Sequence, residues 1–136
     1  MVLKVDLTLD CVRAAEQAVF WKLALGYEDE PPPAPFTSRE EWVASFGPPE
    51  EDEGDGAWLH DPSGVGPRLT LLEVPEPKVA KNRLHLDIRV PGGWAQVRAK
   101  VAELEKAGAA VLATFGEHHV VLADPEGNEF CVAHAK

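Results

Sequence analysis

Residues 84–94 of the chain read Leu-His-Leu-Asp-Ile-Arg-Val-Pro-Gly-Gly-Trp. Apolar and polar side chains alternate along residues 84–90, which is typical of a strand with one buried face. After Pro91-Gly92-Gly93, apolar residues recur at helical spacing at Trp94, Val97, Val101 and Leu104. The segment therefore predicts a strand followed by a helix, and Gly108 is the predicted end of that helix.

The beginning of the chain repeats this unit. Residues 3–9 alternate in the same way and predict a strand. The helix that follows has Asp10 as its predicted N-cap and Gly26 as its predicted end. In this register Asp6 of the first unit corresponds to His85 of the second. We expect one apolar side of each helix to be buried against a sheet, through Val12, Val19, Leu23, Val97, Val101 and Leu104.

An Asp-Pro-x-Gly turn is also repeated, at residues 61–64 and 124–127. Proline presets φ, aspartate bonds the backbone, and glycine accepts a positive φ. Strands are predicted beside each turn, with one weaker strand in each half, at 56–60, 68–74, 118–123, 129–134, 27–30 and 109–114. This order predicts an α+β fold of two βαβββ modules, at about 1–75 and 82–136, within a single domain spanning 1–136.

Residues 31–55 interrupt the first module as an acidic insertion. Residues 28–55 hold ten acidic residues and one arginine, which accounts for nearly all of the net charge of −10. Ser38 and Glu41 have capping-box spacing, and they predict a short helix with Trp42 and Phe46 one turn apart. The insertion is either a solvated surface loop or a lid whose aromatic residues cover apolar surface.

Composition excludes several classes of function. A net charge of −10 argues against a nucleic-acid partner, because such a protein needs a basic face. The chain has no apolar run of membrane-spanning length and no signal peptide, so we expect a cytoplasmic protein without a membrane partner. The two cysteines, Cys11 and Cys131, are far apart and do not indicate a disulfide scaffold.

Several segments are similar to a known family: Leu7–Cys11, Phe20-Trp21, Val74–Lys78, Lys81–Asp87 and Asp124–Cys131. They resemble the glyoxalase-like domains of the vicinal oxygen chelate superfamily, the glyoxalase/bleomycin resistance protein/dioxygenase family. The resemblance covers nearly all of the chain except the 31–55 insertion. It implies two βαβββ modules in a pseudo-twofold arrangement, whose mixed sheet curls around a cavity with the helices outside.

The resemblance also implies where a metal would bind. Metal-binding members hold a divalent ion with four side chains, from the first and last strands of each module. Asp6 and His85 occupy the first-strand positions here and are the implied ligands if a metal binds. Cys131 stands where metal-binding members have Glu, and its counterpart is Thr70, or Leu72 in a shifted register. The full ligand set is therefore absent, and we do not favour a divalent metal as cofactor.

His85 and Asp87 share the polar face of one predicted strand, and they are the predicted catalytic residues. A histidine beside a carboxylate acts as a general base, because the neighbouring charge moves its pKa toward neutrality. The alternative is a structural hydrogen-bonded network. Cys131 is read as a small buried residue rather than a nucleophile.

The favoured function is binding of a small molecule without the full metal site. The predicted ligand-binding residues are Asp6, Trp58, Thr70, His85 and Cys131. The alternative is a lyase, isomerase or dioxygenase, with or without metal, that acts on a small oxygenated or aromatic substrate. We also expect a homodimer, since relatives commonly dimerise and Trp21 or Trp94 would otherwise be left exposed.

Overall fold

A computed structural model of the chain describes residues 1–47 and 55–135. It contains eight strands and three helices among these residues, arranged as two successive modules. In chain order the elements are β1 (Leu7–Cys11), α1 (Ala14–Leu25), β2 (Glu28–Asp29), α2 (Arg39–Ala44), β3 (Gly56–His60), β4 (Leu69–Glu73), β5 (Asp87–Val90), α3 (Trp94–Lys106), β6 (Ala110–Phe115), β7 (His119–Ala123) and β8 (Glu129–His134).

Each module forms a four-stranded mixed sheet with the same strand order. The order is β1-β4-β3-β2 in the first module and β5-β8-β7-β6 in the second. The first strand of each module pairs in parallel with the last, and the other neighbours are antiparallel. The predicted α+β fold of two βαβββ modules is confirmed. The two sheets are separate and do not close on each other, so β1 and β5 are edge strands.

One hydrophobic core joins the two modules. Helix α1 packs on β3 and β4, α3 packs mainly on β8, and the two helices touch. The ring of Trp21 meets those of Phe20 and Phe130 edge to face, with centroids 5.3 and 5.2 Å apart. Because Phe130 belongs to β8, α1 contacts the second module as well as its own.

The buried side of α1 is not the predicted one. Val12, just before the helix, and Val19 and Leu23 within it are 54%, 67% and 43% exposed. The buried side consists of Ala14, Gln17, Ala18, Phe20, Trp21 and Ala24. The helix is apolar on both sides, and burying two aromatic rings removes more apolar surface from water than burying aliphatic side chains does. On α3 the prediction is confirmed, since the buried residues are Val97, Val101 and Leu104.

Both first strands begin later than predicted. β1 begins at Leu7 rather than residue 3, and β5 begins at Asp87 rather than residue 84. The parallel register pairs Leu7 with Leu69, where β4 itself begins, so the residues before Leu7 have no partner strand. Leu3 and Leu84 are accordingly exposed.

The start of α1 also differs from the prediction. β1 runs on through Asp10 to Cys11, and the N-cap of the helix is Arg13 rather than Asp10. Asp10 lies beside Leu72 in the parallel pairing, which holds it in an extended conformation. The end at Gly26 is confirmed, because this residue has φ +73° and closes the helix.

The predictions for the two turns and for the start of the helix in the insertion are confirmed. Gly64 and Gly127 have φ +77° and +92°, as the two Asp-Pro-x-Gly turns require. Helix α2 begins after Ser38, whose side chain accepts a hydrogen bond of 3.1 Å from the backbone N–H of Glu41. No helix of residues 1–47 or 55–135 has the length and apolar character needed to span a membrane.

Candidate functional site

Each sheet has one face covered by helix and one open face. On β8, Phe130 and Val132 are buried in the core, and Cys131 between them points to the open face. Asp87 lies beside Cys131 in the parallel pairing of β5 and β8. His85 is two residues before Asp87, and the alternation of an extended chain places it on the same side.

His85, Asp87 and Cys131 form a compact cluster on this open face. Their nitrogen, oxygen and sulfur donor atoms all lie within 4.8 Å of one another. Nδ1 of His85 is 2.8 Å from Oδ1 of Asp87. An ionised carboxylate only accepts hydrogen bonds, so we assign the proton to Nδ1, which leaves Nε2 free as a base or ligand. The His85 and Asp87 side chains are 41% and 45% exposed, and small molecules in solution reach them.

The thiol of Cys131 lies within 4.8 Å of the His85 and Asp87 donor atoms. Burial raises the pKa of the Cys131 thiol, and the Asp87 carboxylate raises it further through its charge and by accepting a hydrogen bond. The thiolate is the nucleophilic form of cysteine, and a raised pKa disfavours it. The raised pKa therefore disfavours Cys131 as a nucleophile.

A cavity of about 240 Å³ lies beside the cluster, where β1 approaches residues 82–86. We call it the seam cavity because residues of both modules line it. Its polar lining includes Asp6, Asn82, His85 and Glu129, and its apolar lining includes Trp21, Leu69 and Phe130. An apolar cavity with a few polar groups at one side is the usual form of a small-molecule site.

Two carboxylates of the seam cavity are already paired. Asp6 forms an ion pair with Arg68, in which Oδ2 of Asp6 lies 3.4 Å from Nη1 of Arg68. The same guanidinium also pairs with Glu30, since its Nη2 lies 2.7 Å from Oε2 of Glu30. The Lys78 ammonium donates to Glu129 at 2.7 Å, and this hydrogen bond lowers the pKa of the Glu129 carboxyl. Asp6 therefore shares the seam cavity with His85 but lies outside the cluster that His85 forms.

Trp58 and Thr70 lie on the open face of the first sheet. They are cross-strand partners, and they alternate with the buried Leu59 and Leu69. The Trp58 ring meets that of Trp42 in α2, with centroids 5.5 Å apart. Helix α2 thus covers part of this face, which favours the lid interpretation of the insertion. Residues 48–54, including Pro48-Pro49 and the acids that follow, are outside the described residues.

The prediction from sequence missed Asn82, Glu129 and Arg68. Glu129 was recognisable, because alternation along β8 puts it on the same face as Cys131. Arg68 was not, since it contacts residues 38 and 62 positions away in sequence, and no local pattern indicates such contacts.

Several solved structures share this architecture. The fosfomycin resistance protein FosX from Mesorhizobium loti matches with a TM-score of 0.68 at 6% identity, covering 100% of this chain and 94% of FosX. A glyoxalase/bleomycin resistance protein/dioxygenase family enzyme from Burkholderia phytofirmans PsJN matches with a TM-score of 0.64 at 15% identity, covering 97% and 100%. A possible glyoxalase from Bacillus cereus matches with a TM-score of 0.63 at 16% identity, covering 98% and 99%. At such identities the likeness concerns the fold.

The chain's two βαβββ modules with open sheet faces are the fold that these solved structures share. The family model described as a glyoxalase-like domain matches residues 6–133. The chain belongs to this glyoxalase-like domain family, and the resemblance seen in its motifs is confirmed. No curated protein sequence matches the chain.

Proposed function

We propose that this protein binds a small molecule at the open face of its second module, with His85 and Asp87 as the principal polar contacts. The observation that carries the proposal is the 2.8 Å hydrogen bond between these side chains, exposed to solvent at the edge of the seam cavity. Membership of the glyoxalase-like family supports small-molecule binding in general.

We propose a role for each group. Asp87 fixes the orientation and tautomer of the His85 ring, so that Nε2 accepts a hydrogen bond from a hydroxyl group of the ligand. The seam cavity, with Leu84 and Leu86 beside His85 in its lining, takes the apolar part of the ligand. If a bound ligand presents an acidic C–H or O–H at this position, Nε2 of His85 acts as a general base.

The test is a titration with 4-hydroxybenzoate and related small oxygenated aromatic acids, followed by tryptophan fluorescence. Trp21 in the cavity lining reports their binding. His85→Ala should weaken binding by about two- to tenfold, because a hydrogen bond between neutral groups contributes about 0.5–1.5 kcal/mol. Asp87→Asn should weaken it less, and His118→Ala is the matched control outside the cluster. Unchanged affinity in both His85→Ala and Asp87→Asn would show that the site is elsewhere.

The cluster also favours a second function, because its three possible metal-ligand atoms lie within 4.8 Å of one another. This function is that of a metal-dependent lyase, isomerase or dioxygenase that acts on a small oxygenated or aromatic substrate. Imidazole, carboxylate and thiol together fit an ion such as Zn²⁺ or Fe²⁺, and His85, Asp87 and Cys131 would hold it. The ion would supply a Lewis acid that polarises a substrate oxygen. Asp6, the other implied ligand, is paired with Arg68 instead.

Cobalt titration tests this second function without an activity assay. Co²⁺ bound by Cys131 should give a thiolate charge-transfer absorption band, and Cys131→Ser should remove the band. Cys11→Ser, at the other cysteine, is the matched control. A spectrum identical in wild type and Cys131→Ser would argue against the metal site.

We further propose that the chain acts as one domain spanning 1–136, in the cytoplasm and as a homodimer. A net charge of −10 disfavours nucleic acid as a partner. Trp21 is buried within the chain, contrary to the prediction, and so offers no surface to a partner subunit. The exposed apolar residues beside and on α1, Val12, Val19 and Leu23, now support the homodimer.

A further inference from the structure

A second pocket, of about 380 Å³, lies between α2 and the open face of the first sheet. We call it the tryptophan pocket, because Trp42 of α2 and Trp58 of β3 both line it. Asp29, Glu30 and Arg39 supply its charged groups. None of these residues lines the seam cavity, so the two pockets are distinct among the described residues.

Arg39 shows what the Trp58 ring accepts. Its guanidinium carbon lies 4.8 Å from the centroid of the Trp58 ring, which is the geometry of a cation–π contact. The same guanidinium donates to the carbonyl of Gly56 and lies 3.8 Å from the Asp55 carboxylate. The Arg39 guanidinium is therefore a planar cation that stacks on the indole ring of Trp58 while its N–H groups meet oxygen acceptors.

The Arg39 guanidinium is accessible to solvent. The Arg39 side chain is 45% exposed, and it comes from α2, a helix of six residues with no buried side chain. The surroundings favour other cations too, since residues 28–47 hold five acidic residues and one arginine. Such an excess of negative charge raises the local concentration of positively charged molecules.

We propose that the tryptophan pocket binds planar organic cations of the arylguanidinium class, whose charged group displaces Arg39 from the Trp58 ring. The guanidinium of the ligand then meets the acceptors that Arg39 leaves, the Gly56 carbonyl and the Asp55 carboxylate. The aryl ring of the ligand packs against Trp42, which stands edge-on to Trp58. The site is independent of the function proposed for His85, which lies in the other module.

Calorimetric titration with phenylguanidinium tests the proposal, with phenylurea as the uncharged analogue of the same shape. Phenylguanidinium should bind, and phenylurea should bind at least about threefold more weakly, because a cation–π contact is worth about 0.5–2 kcal/mol. Trp58→Leu should abolish binding. Trp42→Leu should weaken it, and this substitution on the outer helix leaves the sheet intact. Arg39→Ala should strengthen binding by about threefold or more, since the internal competitor is gone.

Two variants serve as controls. Arg83→Ala removes an exposed arginine outside the pocket, and His85→Ala removes the contact proposed for the other site; both should leave phenylguanidinium binding unchanged. A loss in His85→Ala would instead place the ligand in the second module and overturn the proposal. The proposal would also be overturned if phenylurea bound as tightly as phenylguanidinium, or if phenylguanidinium did not bind. Wild-type affinity in both Trp42→Leu and Trp58→Leu would overturn it too. Weaker or unchanged binding in Arg39→Ala would overturn the displacement of Arg39.

Discussion

Cys11 is the thiol that the fold shields most strongly. It is only 3% exposed, and burial raises its pKa from the ordinary 9.0 to about 11. The carboxylates of Glu126, Glu73, Asp10 and Asp124 add to this effect, because a thiolate beside them would be repelled. The folded protein therefore holds the thiol proton more tightly than the unfolded chain does.

This raised pKa predicts how stability depends on alkaline pH. Below pH 9 the thiol is protonated in both states, and its contribution to the free energy of unfolding is fully present. As pH rises from 9 towards 11, the unfolded chain loses the proton first, and the folded state loses about 2 kcal/mol of relative stability. Urea unfolding of wild type should show this fall, and Cys11→Ala should show a shallower one. Parallel pH profiles of the two proteins would contradict the prediction.

The start of α1 is held by carboxylates from outside the helix. Its N-cap residue, Arg13, provides no side-chain cap. Instead Glu126 accepts hydrogen bonds from the backbone N–H groups of Val12 and Arg13, at 2.7 and 2.9 Å, and Glu73 accepts one from Ala14 at 3.0 Å. These carboxylates satisfy free N–H groups and interact favourably with the positive end of the helix dipole.

Glu126→Ala should therefore destabilise the protein by about 1–2 kcal/mol, the range measured for the loss of a helix cap. Glu16→Ala is the matched control, since Glu16 lies in the first turn of α1 but makes only an exposed ion pair with Arg13. We expect the control to cost less than about 0.5 kcal/mol. Midpoints of chemical unfolding measure both effects. Equal losses of unfolding free energy in the two variants would mean that Glu126 stabilises α1 no more than an acidic residue of the first turn does.

Asp124 joins the two modules from within the core. It is 3% exposed, and Oδ2 accepts hydrogen bonds from Nε2 of Gln17 at 2.8 Å and Nε1 of Trp21 at 3.1 Å. Nδ2 of Asn128 donates to the same oxygen at 3.0 Å. Asp61 occupies the matching place in the first module, but it bonds only within its own exposed turn, to Ser63 and Gly66.

This asymmetry predicts very different costs for the same substitution. Asp124→Ala leaves the buried donors of Gln17 and Trp21 unpaired, and we expect a loss of about 3–5 kcal/mol in the free energy of unfolding. Asp61→Ala should cost much less, because water replaces its hydrogen bonds. Thermal and urea unfolding give both values. Similar losses of unfolding free energy in the two variants would show that Asp124 stabilises its own turn rather than the contact between the modules.

The homodimer prediction involves the outer side of α1. Val19 and Leu23 are exposed there, one helical turn apart, and Val12 is exposed just before the helix. Val19→Asp should shift the protein from dimer towards monomer, because it places a charge in an apolar interface. Val79→Asp is the matched control at an exposed valine of the linker between the modules. Light scattering at micromolar protein measures the mass, and a monomeric wild type would refute the prediction.

Local pattern in the sequence was enough to predict most of the elements. The two Asp-Pro-x-Gly turns predicted β3, β4, β7 and β8 on either side of them to within a residue or so. The Asp-Pro-x-Gly turns and Gly26 followed from the φ angles that those residues accept. The nearness of His85 to Asp87 was also predictable, since residues two apart on an extended chain share a side.

Other features depend on contacts between distant parts of the chain. Tertiary packing determined three of them: the side of α1 that is buried, the residue at which β1 begins, and the pairing of Asp6 with Arg68. A helix with apolar residues on both sides leaves its orientation to its neighbours, and an edge strand is only as long as the strand beside it. A carboxylate likewise pairs with whichever cation the fold brings near, and in this chain that cation is 62 positions away.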